Sequence, residues 1–348
     1  MKWEFSALED WNEVWSDEHL EQWTKLLYSS PTSHVFFHPD LVRIWVETYL
    51  PLRDFHPIFV WGNSDDNKVF IPLVLWRKDW RGAFMRSIVP VGYSDYDYHD
   101  PLWQKTCEGD DLSFFWDRLL SFLESFGADE IVLSGIREHC SLSNDLWIRD
   151  EMCPSLDVSK IHGEGELMLF LGTKLRGDIR RQLRRLKEKG CLRYVEYAST
   201  EELPDTLFEN FMEAHSRRWP NAYKPPHFHE KLVASRSLDG PIHFSAMLLD
   251  GIAIAWHLGF EFQNTYYYYM PAGNPDYAKY SPVKIHLYHL MVRAINRGYV
   301  LYDHLRGDET YKSGWSDGSI YVHDLFVARK GFTQTMKRMA LQIKRIMQ

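Results

Sequence analysis

Leu301-Tyr302-Asp303-His304-Leu305-Arg306-Gly307-Asp308-Glu309-Thr310-Tyr311-Lys312 is the stretch of sequence from which the fold can be inferred. The apolar run from Tyr299 to Tyr302 predicts a short buried strand. Acids, bases, a glycine and a tyrosine follow this strand directly. Catalytic groups are often placed in such a loop, because the strand is rigid and the loop is exposed. A solvated turn with one or two ion pairs is the alternative interpretation.

The composition is that of a globular protein large enough for two domains. The chain has 348 residues, of which 45% are hydrophobic and 25% are charged. Its net charge of −8 argues against a protein that coats DNA. The four cysteines have no CxxC spacing, which indicates reduced thiols and no metal site. His227 and His229 are typical of a loop surface rather than of a metal site.

Neither a signal peptide nor a membrane span is predicted from the sequence. Acids follow the first residues without an apolar h-region, and no run of about 18 apolar residues is present. We therefore expect a cytoplasmic protein. Peripheral contact with a membrane stays open.

Hydrophobic periodicity predicts the same order of elements in both halves of the chain. Each half has helices, then a strand meander, then a helix and a buried strand. The meanders are predicted at His56–Trp61, Lys68–Trp76 and Ala83–Pro90, and at Ile242–Leu249, Ile252–Phe260 and Thr265–Met270. A helix capped by Thr200 and a basic C-terminal helix are also predicted. The order α-α-β-β-β-α-β is the layout of the GNAT acyltransferase fold, so we expect an α/β (α+β) protein with two mixed sheets flanked by helices, in domains 1–160 and 161–348.

A strand, a loop and a helix start between Tyr266 and Lys284 suggest a phosphate site. Ser281 is a good N-cap and Pro282 is a good first helical residue. Free backbone amides and the positive end of the helix dipole favour a diphosphate there. The predicted cofactor-binding residues are Tyr280, Ser281, Val283 and Lys284. Tyr268, in a strand with four consecutive tyrosines, is predicted to line a substrate channel, although a buried strand explains these tyrosines as well.

Eight basic residues fall between Lys174 and Lys189, on a helix with an apolar stripe. They are Lys174, Arg176, Arg180, Arg181, Arg184, Arg185, Lys187 and Lys189. Such a surface fits phosphate groups, RNA or anionic lipid. A solvated face that pairs with acids elsewhere is equally consistent with the pattern.

The residues after Asp303 are the predicted catalytic loop. Acyl transfer from a thioester passes through an oxyanion that a cation or backbone amides can stabilise. Lys312 is the candidate for this role or for a contact with donor phosphate. Asp308 and Glu309 are candidates for orienting or deprotonating the acceptor. Arg306 and Tyr311 are predicted to contact substrate, with Arg306 also pairing with an acid that holds the loop.

These motifs together resemble the CelD-like, cellulose-biosynthesis-associated branch of the GNAT superfamily, which is akin to the Fem-type aminoacyl ligases. The resemblance covers nearly the whole chain. It includes Phe37-His38-Pro39-Asp40, Ile71-Pro72-Leu73, Gly92 followed by Asp95-Tyr96, His215 with Arg218-Trp219, Asp250-Gly251, and Tyr280-Ser281-Pro282. The stretch from Asp303 to Lys312 is close to the family's DFLRGDE.YK motif. Val283 departs from the pattern, because a glycine usually follows Ser-Pro.

The resemblance implies tandem GNAT domains, acyl-CoA as the donor and a polysaccharide- or envelope-related acceptor. A lysine at the place of Lys312 contacts donor phosphate or developing charge in Fem-type relatives. An acid in the first domain contacts the acceptor, which points to Asp95 and its neighbour Tyr96.

We therefore expect an acyltransferase that moves an acyl group from acyl-CoA to an amine, or less readily a hydroxyl, by direct attack and without a metal. An aminoacyl-tRNA-dependent Fem-type ligase is one alternative, although the chain lacks the long helical hairpin of some Fem-type enzymes. A non-catalytic partner of a polysaccharide synthase is another. Under the first hypothesis, Lys312→Ala should lower turnover more than fold stability.

Overall fold

The computed structural model describes residues 2–80, 83–93, 95–144, 146–197, 204–220, 228–237 and 239–328. Mutual contacts divide the chain into two compact units. Unit 1 takes Met1–Asp150 and the segment that begins at Val322, and unit 2 takes Glu151–Tyr321. The domain boundaries expected from the sequence, 1–160 and 161–348, stay a prediction.

Unit 1 consists of a mixed sheet and helices that pack on it. Its elements are β1 (Glu4–Leu8), α1 (Trp11–Val14), α2 (Asp17–Ser29), α3 (Pro39–Tyr49), β2 (Asp54–Asn63), β3 (Lys68–Trp80), β4 (Ala83–Pro90), β5 (Leu102–Trp103), α4 (Gly109–Glu124), β6 (Glu130–Arg137) and the end of β13 (Gly318–Ala328). The strand order is β1-β2-β3-β4-β6-β13, and β5 pairs with β3. Neighbours are antiparallel except β4 and β6, which are parallel.

Local sequence explains where the helices of unit 1 begin. The Ser16 side chain accepts a hydrogen bond from the His19 amide at the start of α2. Pro39 is the first residue of α3, where its missing N–H costs no hydrogen bond. Helix α4 covers the core cluster in which Trp3 meets Trp103 and Phe115 edge to face, whereas Trp23 of α2 packs against Phe59 and Phe70 of the sheet.

Unit 2 repeats this plan. Its elements are the end of β7 (Trp147–Asp157), α5 (Glu164–Phe170), α6 (Thr173–Lys187), β8 (Leu192–Glu196), α7 (Asp205–Arg218), α8 (Phe228–Ala234), β9 (Ile242–Leu249), β10 (Ile252–Phe262), β11 (Thr265–Gly273), α9 (Pro282–Asn296) and β12 (Leu301–Asp303). The strand order is β8-β9-β10-β11-β12-β7. As in unit 1, four antiparallel strands are followed by one parallel step and one antiparallel strand.

The predicted mixed α/β fold is confirmed, and several predicted elements agree closely with the structure. β4 and β9 have the predicted bounds. Asp250 and Gly251, with φ of 50° and 83°, form the predicted hairpin turn, in which both residues adopt the left-handed conformation. β1, α5 and β7 were not predicted. The predicted cap Thr200, His227 and the predicted C-terminal helix lie outside the described residues.

Helix α9 covers the face of the unit 2 sheet on which the candidate site is built. It packs on β9, β10 and β11, and α6 packs on α9. Leu186, Ile254, Tyr266 and Met291 are among the buried residues of the resulting core. In the described part of the chain, none of the helices has the length and apolar character needed to cross a membrane.

Candidate active site

The sheet of unit 2 opens between β11 and β12. These parallel strands pair only from Thr265 to Tyr267 on β11 and from Leu301 to Asp303 on β12. β12 ends there, whereas β11 continues to Gly273. The β11 edge from Tyr268 onward therefore has no β12 partner, and its backbone groups can pair with an extended ligand.

The loop that follows β12 is organised around Lys312. The His304 and Gly307 amides donate hydrogen bonds of 2.9 Å to the Pro154 and Met152 carbonyls, which fasten the loop to β7. The Lys312 ammonium is buried, with 4% of the residue exposed. It lies 3.3, 2.7 and 3.4 Å from the carbonyl oxygens of Leu305, Arg306 and Gly307, and 2.9 Å from Glu309 Oε2. A direct contact of Lys312 with substrate would require one of these bonds to break.

The other predicted residues of this loop differ in exposure. Asp308 is exposed, and Glu309 is half-buried beside Lys312. Arg306 Nε lies 3.7 Å from Glu151 Oε2. Tyr311 is 38% exposed. The loop thus presents one solvated carboxylate, one paired carboxylate and a phenol close together in sequence.

Tyr268 is buried at the point where β11 and β12 separate. Burial raises its pKa well above the ordinary value; Tyr311 and Glu309 raise it further, whereas the Arg218 guanidinium lowers it. Burial also raises the pKa of Tyr311; Glu309 raises it further, and the Arg218 guanidinium lowers it. Arg218, the last residue of α7, is therefore part of the electrostatic environment of Tyr268, and sequence reasoning did not assign it to the site.

A chain of hydrogen-bonded aromatic side chains lies on the α9 face of the sheet. The Tyr266 hydroxyl is 2.9 Å from His243 Nδ1 and 3.0 Å from His257 Nδ1. His243 Nε2 faces Glu196 and Glu261, at 3.5 and 3.9 Å, which favours a proton on Nε2. His243 Nδ1 then accepts from Tyr266, whose oxygen accepts from His257.

His257, which forms one end of this chain of side chains, lies against Tyr268. The His257 ring stacks on the Tyr268 ring with centroids 4.3 Å apart, and the His304 ring lies 6.0 Å from Tyr268. His257 Nε2, Tyr302 Oη and His304 Nδ1 are buried without a hydrogen-bond partner in the described part of the chain. Such orphaned atoms are rare in protein interiors and are frequent at functional sites.

His243, at the other end of the same chain, is stabilised by the charged side chains around it. Arg293 donates to Glu196 through Nε at 2.6 Å and Nη2 at 2.8 Å, and its Nη1 lies 2.5 Å from Glu261. Burial raises the pKa of both carboxyls, but their hydrogen bonds and the Arg293 guanidinium outweigh burial, so both pKa values lie below the ordinary range. The carboxylates therefore stay ionised at neutral pH.

The predicted donor residues lie together at the start of α9. Ser281 occupies the N-cap position with φ 50° and ψ 52°, and its side chain makes no capping hydrogen bond. Because of this conformation, Ser281 leaves the amides of Val283 and Lys284 uncapped by its side chain. Lys284 Nζ lies 2.5 Å from Asp178 Oδ2. The Arg185 guanidinium lies over the Tyr280 ring, with its Cζ atom 4.8 Å from the centroid of that ring.

Val283, which stands where the family motif usually has a glycine, faces Gly273 at the end of β11. A Cβ added to Gly273 would lie 2.5 Å from Val283 Cγ2, so the end of β11 and the first turn of α9 are in close contact. The glycine at 273 makes room for the valine at 283. One strand edge therefore runs from Tyr268 at the opening to the uncapped start of α9.

The predicted acceptor residues Asp95 and Tyr96 lie in unit 1 and are buried there. Trp45 Nε1 and the Tyr49 hydroxyl donate to the Asp95 carboxylate at 3.0 and 3.1 Å. The Tyr96 hydroxyl donates to the Leu41 carbonyl at 2.9 Å. A substrate would compete with these bonds, and the substrate role of both residues stays a prediction.

One group of possible metal ligands occurs in the described part of unit 1. Ligand atoms of Asp100, His139 and Cys140 lie within 4.8 Å of one another. Asp100 Oδ2 already accepts from Arg137 Nε at 2.5 Å, and its Oδ1 accepts from the Arg137 amide at 2.6 Å. Burial raises the pKa of the Cys140 thiol well above its ordinary value. A cation here would face a guanidinium and a protonated thiol, so the group does not fit a metal.

A comparison of the sequence with known families matches the part of unit 2 that holds the β11 edge, the start of α9 and the loop after β12. Residues 173–313 match the family described as an acetyltransferase (GNAT) domain. No curated protein matches the sequence at a significant level.

Several solved structures are similar to the chain over almost all of their length. FemX has a TM-score of 0.59 at 12% identity, covering 87% of this chain and 95% of its own. The C-terminal domain of a putative lysylphosphatidylglycerol synthetase from Agrobacterium fabrum has a TM-score of 0.56 at 13% identity, covering 94% and 96%. A tandem GNAT protein from the clavulanic acid biosynthesis pathway has a TM-score of 0.50 at 11% identity, covering 95% and 99%.

At these identities the similarity establishes the fold alone. The open edge of β11, the uncapped start of α9 and the loop after β12 all lie inside the matched residues 173–313. The chain therefore has a GNAT-like fold and carries a GNAT-type acetyltransferase domain.

Proposed function

We propose that this protein transfers an acyl group from acyl-CoA to an amine of a small polysaccharide- or envelope-related acceptor. The observation that carries the proposal is the β11 edge between Tyr268 and Gly273, which extends beyond the pairing with β12. Five steps of a strand span about 17 Å. Acyl-CoA needs helix amides for its diphosphate, an edge that pairs with the amides of its extended arm, and an opening for its thioester. We assign these three roles, in order, to the start of α9, the β11 edge beyond β12 and the opening at Tyr268.

The proposed reaction is direct attack of the acceptor amine on the thioester carbonyl. The new C–N bond forms as the tetrahedral oxyanion develops, and the C–S bond breaks as the CoA thiolate leaves. Asp308 and Glu309 orient the amine and take its proton, which finally neutralises the thiolate. Backbone amides of the β11 edge stabilise the oxyanion. Lys312, which is held by three carbonyls and Glu309, contributes mainly by keeping the loop in place.

The proposed cofactor-binding group is the first turn of α9 with Lys284. The amides of Val283 and Lys284 bind the diphosphate, and the Lys284 ammonium adds a charge. Tyr268, Tyr311 and Arg306 line the acyl and acceptor side. Use of acyl-CoA and four free cysteines fit a cytoplasmic enzyme. The CelD-like assignment belongs to the same proposal.

An aminoacyl-tRNA donor is the second candidate, because α6 offers exposed basic residues next to the start of α9. Arg185 Nη1 donates to the Lys279 carbonyl at 3.1 Å, which joins α6 to the loop before α9. Such a donor would bind with a strong dependence on salt. The third hypothesis, a non-catalytic partner of a polysaccharide synthase, predicts no donor binding at all.

Calorimetry with acetyl-CoA and longer acyl-CoAs tests the proposal. Lys284→Glu should weaken binding at least tenfold, because it places a carboxylate beside the diphosphate and removes a cation. Lys189→Glu, at an exposed position just after α6, is the matched control and should bind as the wild type does. Failure of every acyl-CoA to bind, or equal affinity of Lys284→Glu and the wild type, would refute the proposed donor site. Release of free CoA with a panel of amines then identifies the acceptor class.

A further inference from the structure

Helices α5 and α6 enclose a surface groove of about 720 Å³ that the acyl-transfer reaction does not use. Its apolar wall is formed by Met168, Leu169 and Leu183. Leu169 is 73% exposed, and the next residue, Phe170, is 38% exposed. Single exposed apolar residues are common, but two in succession beside a groove indicate a surface that contacts something apolar.

The rim of the groove is cationic. Arg180, Arg184 and Lys187 line it from α6, at spacings that place them on one side of the helix. The acids that also line it, Glu164 and Glu188, are already engaged. Glu164 accepts a hydrogen bond of 2.8 Å from the Tyr288 hydroxyl, and Glu188 lies 3.7 Å from Arg184.

The lining of the groove still has a positive balance, since three cations face the two carboxylates of Glu164 and Glu188. Neither Arg180 nor Lys187 makes an ion pair within the described residues. The chain as a whole carries a net charge of −8, so this positive surface is opposite in sign to the rest of the protein. Phosphate groups are the anions that such a pair of cations binds most readily.

We propose that the groove binds the surface of an anionic phospholipid membrane. Lipid phosphates lie on Arg180 and Lys187, while Leu169 and Phe170 enter the boundary between headgroups and acyl chains. Charge and apolar exposure together favour a membrane over RNA, because an RNA backbone offers no apolar partner for a leucine that is 73% exposed. The proposal does not depend on acyl transfer.

The expected affinities follow from the separate contributions. Each basic residue near an anionic bilayer adds about 1 kcal/mol, so loss of two charges should weaken binding roughly 30-fold. Removal of the Leu169 side chain should weaken binding by about tenfold, since only part of the leucine leaves water when it enters the bilayer.

Vesicle sedimentation of the full chain tests the proposal. Vesicles that contain phosphatidylglycerol and phosphatidylcholine should sediment the protein, and pure phosphatidylcholine vesicles should not. The double variant Arg180→Gln, Lys187→Gln and the single variant Leu169→Ser should lose binding as stated. Lys174→Gln with Lys189→Gln makes the same change of charge in the first turn of α6 and just after its end, at positions that do not line the groove, and should lose less than fivefold.

Competition distinguishes the possible sources of phosphate. Inorganic phosphate and glycerol phosphate at the lipid concentration should not release the protein from vesicles, and their release of it would reassign the groove to a soluble phosphate ligand. Tight binding of a short RNA that is unaffected by Leu169→Ser would reassign it to RNA. Equal binding to both kinds of vesicle, or equal loss in the two double variants, would overturn the proposal.

Discussion

Replacing Lys312 by methionine removes the charge around which the loop after β12 is built. The methionine keeps most of the side-chain volume, so the change isolates the ammonium group. Without it, three carbonyls at 3.3, 2.7 and 3.4 Å and the Glu309 carboxylate at 2.9 Å lose their common partner. Leu305, which holds a left-handed φ of 59°, loses one of the bonds that support this conformation.

The size of the effect follows from burial. Hydrogen bonds to charged groups contribute about 1.5–3 kcal/mol each, and they are not additive within one cluster. Breaking a buried ion pair by removing one partner costs about 3–5 kcal/mol. We therefore expect Lys312→Met to lower the free energy of unfolding of unit 2 by about 3–5 kcal/mol. For a domain of this size, this corresponds to roughly 6–20 °C in Tm.

Urea unfolding followed by circular dichroism measures this loss, and Lys284→Met is the matched control. Lys284 also pairs with a carboxylate, Asp178, at 2.5 Å, but its side chain is 35% exposed. Exposed pairs contribute about 0–1 kcal/mol, so the control should shift the urea midpoint only slightly.

Equal midpoints for the two variants would show that the Lys312 ammonium is not held by the loop, and the positioning role would be refuted. A stable Lys312→Met variant without turnover would instead support the direct catalytic role expected from the sequence. Turnover is measured at low temperature, where the destabilised variant stays folded.

Acid should destabilise the protein through His304, because burial lowers its pKa from 6.5 to about 3 in the folded state. The unfolded chain binds this proton below pH 6.5, so the contribution of His304 to stability is full above that pH and falls toward pH 3. Between pH 8 and pH 5 this contribution falls by about 2 kcal/mol. Burial also lowers the pKa of other histidines, such as His34, so His304→Phe should reduce the total loss by this amount in urea titrations at both pH values. A pH dependence that is unchanged in the variant would exclude His304 as its source. Gly259→Ala should destabilise unit 2 by more than about 3 kcal/mol, since its Cβ would lie 2.3 Å from His257 Cε1 and 2.6 Å from the Tyr267 carbonyl oxygen. Gly177→Ala, in open space within α6, should stabilise the protein by up to about 1 kcal/mol, and thermal unfolding of both variants checks the contrast.

Local signals in the sequence were sufficient for much of the secondary structure. Asp250-Gly251 fixes a hairpin because its two residues tolerate positive φ, and Pro282 starts α9 because its ring presets φ. Alternation and turn residues gave β4 and β9 their bounds. The sequence also predicts that the amides of Val283 and Lys284 have no partner within the helix, because the first amides of any helix lack one.

The partners of the site residues could not be predicted in the same way. Alternation places His243, Ser245 and His257 on one face of their strands, but only the register brings two histidines to the Tyr266 hydroxyl. β7, which fastens the loop after β12, has no clear period, and it pairs with β12 across about 150 residues of sequence. Arg218 approaches Tyr268 from the end of another element.

The sequence by itself therefore determined most of the elements, their order and the acyltransferase-like succession of helices and strands, since these depend on residues within a few positions of one another. Only the tertiary structure decided that Lys312 is buried among carbonyls, that Gly273 makes room for Val283, and that a histidine chain ends at Tyr268. The physical reason is that these features require close contact between distant segments, and such contact is set by packing and strand register rather than by local preference.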